Sequence, residues 1–323
     1  MRAVRLTTKG GPEVLSIVEA ELPEPRAGEI RVRHEAVGLN FIDVYHRTGL
    51  YPVPLPSGLG VEAAGVVDSV GPGVARFKVG DRVGYAGGPL GAYAEAHCVP
   101  ADRAVALPDD VDARVAAAIL LKGMTAEFLL RRCYAVQPGD TILVHAAAGG
   151  VGMLMCQWAQ ALGATVIGTV GSETKAEVAR THGCAHVINS RAEDVSARVR
   201  EITAGAGVPV VYDSVGAATF EASLKSLARR GLLVSFGNAS GPVPPFEIAR
   251  LARAGSLFVT RPTLFDYVAS TEELDASSTA VFDIVRSGRV RVEIGSTRPL
   301  TEARQAHEAL EARETIGATL LIP

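Results

Sequence analysis

Three small residues at a fixed spacing carry the clearest chemistry in this chain. Ala147, Gly149 and Gly152, within "TILVHAAAGGVG", read A-x-G-x-x-G, the dinucleotide fingerprint with alanine in the first glycine's place. The surroundings strengthen the pattern. An apolar run, "TILVHA", enters it; a helical pattern with Val151, Leu154, Met155, Trp158 and Leu162 on one stripe leaves it; a second buried run, "ATVIGTV", follows. Gly149 would let the backbone approach a pyrophosphate, Gly152 would let the helix pack closely on the sheet, and the helix start would offer free N–H groups to the phosphates. A strand-to-helix turn without a ligand does not need this spacing. A site that prefers NADH has an acidic side chain about 20 residues further on, bonded to the ribose 2′-hydroxyl. Here the stretch is "GTVGSETK". Gly171 and Ser172 leave room, Ser172 can donate a hydrogen bond, and Lys175 supplies a compact charge. That set suits a 2′-phosphate, so the expected cofactor is NADPH. Glu173 works against it, since a carboxylate aimed at the ribose would reverse the preference.

Metal chemistry finds little support. Nicotinamide dehydrogenases of a two-domain layout often polarise their substrate with zinc, which needs Cys, His or carboxylate ligands. In "GLNFIDVYHRTGLYPVPLPSGLGVEAAG", Asn40 stands where a thiolate is wanted, and Val61 precedes Glu62 where a histidine is wanted. The histidines (His34, His46, His97, His145, His182, His186 and His307) form no ligand spacing and read as structural or solvated. Cys98, Cys133, Cys156 and Cys184 are scattered without a C-x-x-C pair, which suits reduced thiols, with Cys156 as a core residue. We expect no metal, so the acceptor must already be activated.

The elements that position these residues fall into three textures. Up to about residue 121, short runs punctuated by turns, such as "EIRVRHEAVGL" and "EAAGVVDSVGPGV", suggest a compact barrel or sandwich; Ile30, Val32, His34 and Ala36 alternate onto one side. From 122 to 262, buried runs alternate with helical patterns and predict a doubly wound parallel sheet. The last sixty or so residues hold helices and a final apolar strand, "ATLLI", too short to stand alone. We therefore expect 263–323 to return to the 1–121 domain. A chain of 323 residues exceeds what one core usually serves, and 48% hydrophobic against 21% charged residues is ordinary for a folded protein. Net charge of −3 without like-charge runs gives no footprint for nucleic acid or an anionic membrane. The opening "MRAVRLTTKGGPEVL" lacks a signal peptide's apolar core, and no apolar run approaches about 18 residues, so a cytoplasmic protein is expected.

The stretches "GGPEVL", "GLNFIDVYHRTGLYPVPLPSGLGVEAAGVV", "LLKGMTAEFLL", "HAAAGGVG", "GTVGSETK", "VVYDSVG" and "VSFGNASG" resemble the zinc-independent, zeta-crystallin-like quinone oxidoreductases of the medium-chain dehydrogenase/reductase superfamily. The resemblance covers essentially the whole chain. It implies an α/β protein with a GroES-like β-barrel domain and a Rossmann domain, NADPH as cofactor, a homodimer, and reduction of small apolar quinones in the cleft between the domains. It also implies roles. Asn40, Phe41, Ile42, Asp43 and Tyr45 would lie beside the nicotinamide and phosphates, with Asn40 and Tyr45 as polar contacts for the reacting oxygen. Thr125 would seat the nicotinamide, and Gly150 and Val151 would follow the fingerprint glycine. Gly171, Ser172 and Lys175 would hold the adenosine phosphate. Phe236, Gly237, Asn238, Thr263, Leu264 and Arg313 would complete the cofactor's surroundings. One departure is Ser190, where members often carry a tyrosine: serine can hydrogen-bond but cannot stack on the adenosine. Two alternatives stay open, an NADPH-dependent 2-enone or 2-alkenal reductase and a non-catalytic NADPH-binding protein. The sequence also leaves open whether electrons pass singly or as a hydride.

Overall fold

The computed structural model describes all 323 residues, Met1–Pro323. They form two compact units: Met1–Met124, Val268–Phe282 and Val292–Pro323 in the first, Thr125–Tyr267 and Asp283–Arg291 in the second. In chain order the elements begin with β1 (Arg2–Leu6), β2 (Leu15–Glu19), β3 (Glu29–Leu39), α1 (Phe41–Thr48), β4 (Glu62–Val70), β5 (Arg82–Ala86), β6 (Ala96–Pro100), β7 (Ala104–Ala106) and the helix α2 (Ala113–Phe128). There follow β8 (Thr141–Val144), α3 (Gly150–Ala161), β9 (Thr165–Val170), α4 (Glu173–Thr181), β10 (Cys184–Asn189), α5 (Val195–Ile202), β11 (Val208–Asp213) and α6 (Phe220–Ser226). The chain closes with β12 (Leu227–Ser235), α7 (Ala249–Arg253), β13 (Phe258–Thr260), α8 (Leu264–Tyr267), α9 (Thr271–Arg286), β14 (Ile294–Pro299), α10 (Ala303–Glu311) and β15 (Ala318–Ile322).

In the first unit the sheet order is β14-β15-β3-β4-β5-β7, with β6 also pairing β3. The long strand β3 is its hub, bonded antiparallel to β4, β6 and β15. Alternation along it behaves as the sequence indicates: Ile30, Val32, His34 and Ala36 are all buried. Ile30 and Val32, with Val37 and Leu39 beyond a shift of register between His34 and Ala36, join Leu59, Val67, Val83, Tyr85 and Tyr93 in the core, to which Leu300, Ala306 and Leu321 also belong. His34 survives there because both ring nitrogens are bonded. Nδ1 donates to the Ala94 carbonyl at 2.7 Å, and Nε2 accepts from the Tyr85 hydroxyl at 2.9 Å. Burial pushes its pKa down to about 4, so the ring is neutral.

The second unit is a six-stranded parallel sheet of order β10-β9-β8-β11-β12-β13. Renumbered from β8, that is 3-2-1-4-5-6, the doubly wound dinucleotide-binding order, with the strand order reversing between β8 and β11. One detail differs from the sequence pattern. Helix α3 is buried from Gly152 to Ala159 rather than along one stripe. Its far side is covered by the segment around Arg291, whose N–H and carbonyl are both bonded by Gln157. No helix of the chain is long and apolar enough to cross a membrane.

Candidate functional site

The turn after β8 lies at the carboxyl end of the sheet, beside the reversal of strand order, where open α/β sheets bind their ligands. Ala146 adopts a left-handed φ of 54°, a conformation that costs an L-residue about 1–3 kcal/mol and persists only where its surroundings impose it. Those surroundings are visible: Gly149 N donates to Ala146 O at 2.9 Å, and Ala147 N donates to Thr169 O at 3.0 Å. A Cβ on Gly152 would lie 2.3 Å from Ala146 O, so only glycine lets α3 begin this close to the loop. A Cβ on Gly149 would meet Ala146 O at 3.2 Å and nothing else within 4 Å. No side chain caps α3. The N–H groups of Gly150 and Val151 are therefore left for an anion over an open Gly149, a cradle that fits a pyrophosphate. Alanine is tolerated in the first fingerprint position because the neighbouring strand gives way. A Cβ on Gly168 of β9 would lie 2.8 Å from the Ala147 Cβ and 2.5 Å from Cys184 Sγ. The glycine missing from the loop stands across the sheet instead.

Beneath the loop, His145 ties three strands together. Asp213 fixes the direction of the chain of bonds, because a carboxylate only accepts. The Ser223 hydroxyl donates to Asp213 Oδ2 at 2.7 Å, so His145 Nε2–H donates to Ser223 Oγ at 3.0 Å and Nδ1 accepts from Thr169 Oγ1 at 2.9 Å. The other oxygen of Asp213 accepts from Val215 N at 2.8 Å, Gly216 N at 3.0 Å and Thr219 Oγ1 at 2.8 Å. Burial lowers the pKa of His145 against the pull of Asp213, consistent with a neutral ring. This buried support was not apparent from the sequence, since its members lie on four separate elements.

The adenosine end of the expected site lies at the ends of β9 and β10. Ser172 caps α4, accepting from Lys175 N at 3.4 Å. Glu173, the residue opposed to a 2′-phosphate, is turned along the helix into an ion pair with Arg180 at 2.9 Å. Ser190 is drawn onto β9: its N and its hydroxyl both donate to Val170 O, at 2.9 and 3.0 Å. Its hydroxyl proton is thereby used. Beyond its chain neighbours, the atoms that a Cβ on Gly171 would meet within 4 Å all belong to Arg191, which spacing alone did not single out. At the other half of the sheet, Phe236 N donates to Asp213 O at 2.8 Å, and a Cβ on Gly237 would lie 2.3 Å from Ser214 O, which holds the loop through Asn238 against the end of β11. Thr263 and Leu264 follow β13, Thr263 O accepting from Asp266 N at 3.3 Å while Leu264 is buried. Thr125 is half-buried on α2.

In the first unit, Asn40, Phe41, Ile42, Asp43 and Tyr45 come together at the start of α1. Asp43 Oδ2 accepts from Asn40 N at 2.8 Å and from the Tyr93 hydroxyl at 2.9 Å. Asp43 is completely buried and its other oxygen has no partner; burial raises its pKa to about 7. Asn40 Nδ2 donates to Glu62 Oε2 at 2.8 Å and to Gly38 O at 3.3 Å. Glu62, also fully buried, accepts from Lys122 Nζ at 3.1 Å and from Leu121 N at 2.7 Å. The Tyr45 ring packs edge-on to Tyr51 at 5.1 Å. Arg47, at the far end of α1, is buried and reaches Glu311 at 2.5 Å, which brings the end of α10 and the following Arg313 to this helix. Arg313 itself is exposed, with a left-handed φ of 59°.

Known proteins agree with this layout. Residues 26–109 match the alcohol dehydrogenase GroES-like domain, and residues 150–277 match the domain described as zinc-binding dehydrogenase. The quinone oxidoreductase of Pseudomonas aeruginosa is 53% identical over 323 residues, covering 100% of this chain and 99% of its own. A 2-haloacrylate reductase of Burkholderia is 46% identical, covering 98% of this chain and 97% of its own. The crystal structure of Escherichia coli quinone oxidoreductase complexed with NADPH superposes with a TM-score of 0.98 at 50% identity, over 100% of both chains. The zinc of the second domain's description does not fit these residues. Both N–H groups of Asn40 are directed to oxygen acceptors, Val61 has no ligand atom, and the Glu62 carboxylate is already neutralised by an ammonium 3.1 Å away. Nowhere do three or more His, Cys, Asp or Glu side chains gather as a metal site.

Proposed function

The chain belongs to the zinc-independent quinone oxidoreductases of the medium-chain dehydrogenase/reductase superfamily, and from that premise we propose how its residues carry out the reaction. It is an NADPH-dependent enzyme that reduces quinones without a metal. When bound, NADPH supplies the reducing equivalents. A quinone has conjugated carbonyls whose reduction yields an aromatic ring, so the protein needs to position the acceptor and stabilise the developing oxyanion. The observation that carries the reading is the uncapped start of α3 over an open Gly149. Gly149, Gly150 and Val151 hold the pyrophosphate, with Gly152 letting α3 begin close against the loop; Gly171, Ser172 and Lys175 hold the adenosine phosphate. Thr125, Phe236, Gly237, Asn238, Thr263, Leu264 and Arg313 complete the cofactor's surroundings, as do Phe41 and Ile42.

Asn40 and Tyr45 divide the remaining work. The amide protons of Asn40 are committed to Glu62 and Gly38, so Asn40 shapes the site and Tyr45 is the candidate donor to the reacting oxygen. Asp43 acts from below, fixing the start of the helix that carries both. We further place the enzyme in the cytoplasm, where its four free cysteines stay reduced, and read it as a homodimer.

Absorbance at 340 nm, followed with NADPH and NADH in parallel and a simple 1,4-quinone, tests the reading. Rapid loss with NADPH and much slower loss with NADH is expected. Binding of NADPH without oxidation by any acceptor would overturn it in favour of a non-catalytic binder. The likeness to the 2-haloacrylate reductase supports a second reading, reduction of an activated carbon–carbon double bond. Faster turnover of an α,β-unsaturated ketone than of the quinone would make that the principal activity.

A further inference from the structure

The tie between Ser190 and Val170 has a second effect: it delivers the next side chain to the corner of the adenosine site. Val170 and Asn189 pair at the ends of β9 and β10. With Ser190 clamped to Val170 O, the backbone of Arg191 is held by its N–H, which donates to Asn189 Oδ1 at 3.1 Å. The guanidinium then crosses in front of Gly171. Leaving aside its chain neighbours, the three atoms closest to where a Gly171 Cβ would stand all belong to Arg191: Nε at 3.5 Å, Cζ at 3.9 Å and Cδ at 4.0 Å. The acid that an NADH site carries near this strand end would set a carboxylate against this guanidinium.

The charge balance here is uneven. Arg180 is paired with Glu173, and Arg198 with Glu193 and Glu201, but the exposed Arg191 has no carboxylate. An unpaired planar guanidinium beside Gly171 and Ser172, with Lys175 one turn into α4, matches a phosphate's oxygens better than an ammonium alone, because its fork can donate two parallel hydrogen bonds. Ser190 cannot do this, since its proton is already given to Val170 O.

We propose that Arg191 is a cofactor-specificity residue that binds the 2′-phosphate of NADPH directly, taking the share of β10 in that contact where the neighbouring serine cannot. The proposal rests on the NADPH reading above. In effect the segment after β10 supplies its cofactor contact one residue later than Ser190.

The test is equilibrium binding of NADPH, NADH and adenosine 2′,5′-bisphosphate to the wild type, Arg191→Ala and Arg191→Lys, by calorimetry, with turnover measured at saturating NADPH. Losing a charged hydrogen-bonding partner predicts a roughly 10–100-fold weaker Kd of Arg191→Ala for NADPH and the bisphosphate. NADH binding and kcat stay unchanged, and lysine restores part of the loss. Equal weakening of NADPH and NADH, or no change in either, overturns the proposal while leaving the cofactor assignment standing. A wild type that binds the two cofactors equally and ignores the bisphosphate overturns both.

Discussion

Asp43 is a carboxyl group held where ionisation is costly. In the folded protein its pKa is raised to about 7 from an ordinary 3.8, chiefly by burial, with Glu62 adding to the rise while Asn40 N–H, Tyr93 and Lys122 oppose it. Between roughly pH 4 and 7, the fold therefore keeps a proton that the unfolded chain has released. The contribution of Asp43 to stability is greatest below pH 4 and is lost as pH climbs through 7, by at most about 1.4 kcal/mol per unit. His34 and His307, pushed down to about 4 and about 3 by burial, have the opposite sign in the window up to about 6.5, so the whole-protein profile mixes them. Asp43→Asn isolates the carboxyl, because an amide cannot ionise. Urea unfolding at pH 5 and pH 8 should show the wild type losing ground to Asp43→Asn as pH rises. A gap that is the same at both values would mean that burial does not govern this group.

At the scale of elements, the loop between β8 and α3 gives its two glycines different duties. In Gly152→Ala, the new methyl meets a backbone carbonyl 2.3 Å away, and overpacking of that kind costs about 1–3 kcal/mol. In Gly149→Ala, the methyl meets one atom at 3.2 Å and then open space, so stability should hold while NADPH affinity drops roughly tenfold or more, equivalent to about 1.4 kcal/mol. Denaturant melts and NADPH titrations of the two variants separate these effects, and equal losses of stability in both would refute the distinction. This loop was legible in the sequence because its spacing is local, and so was the alternation of strands and helices that builds the doubly wound sheet. Contacts that join distant positions were not. The exchange of a glycine between Ala147 and Gly168 is invisible along the chain, as are Glu62 on Lys122 and Arg47 on Glu311, because residue type at one position says nothing about what folding will bring opposite it. Arg191 was hidden differently. It adjoins Ser190, whose departure from the family pattern marked the place, but only the bonds to Val170 O show which of the two side chains faces Gly171.

For the molecule as a whole, the parallel sheet ends on β13, whose outer edge has no partner within the chain. Phe258 on that strand is 60% exposed. An open edge carrying an exposed aromatic ring favours pairing with a second copy of itself. If the proposed dimer forms along this edge, Phe258→Glu should sediment as a monomer at micromolar concentration while still binding NADPH, as read by sedimentation equilibrium; a wild type that sediments as a monomer would remove the basis for the proposal. The seating of β15 between β14 and β3 has a consequence in time. Thr319, Leu320 and Leu321 pair with Leu39, Gly38 and Val37, and Leu321 belongs to the core around β3. During synthesis, β1 to β7 of the first unit emerge before the second unit does, yet β3 lacks its neighbour β15 until the second unit has passed. The second unit is almost continuous from Thr125 to Tyr267 and needs only Asp283–Arg291 besides. Because domains generally fold as units while the chain is made, the cofactor-binding sheet is ready first. The barrel is started first and finished last, with the edge of β3 at Val37 and Leu39 waiting open in the meantime.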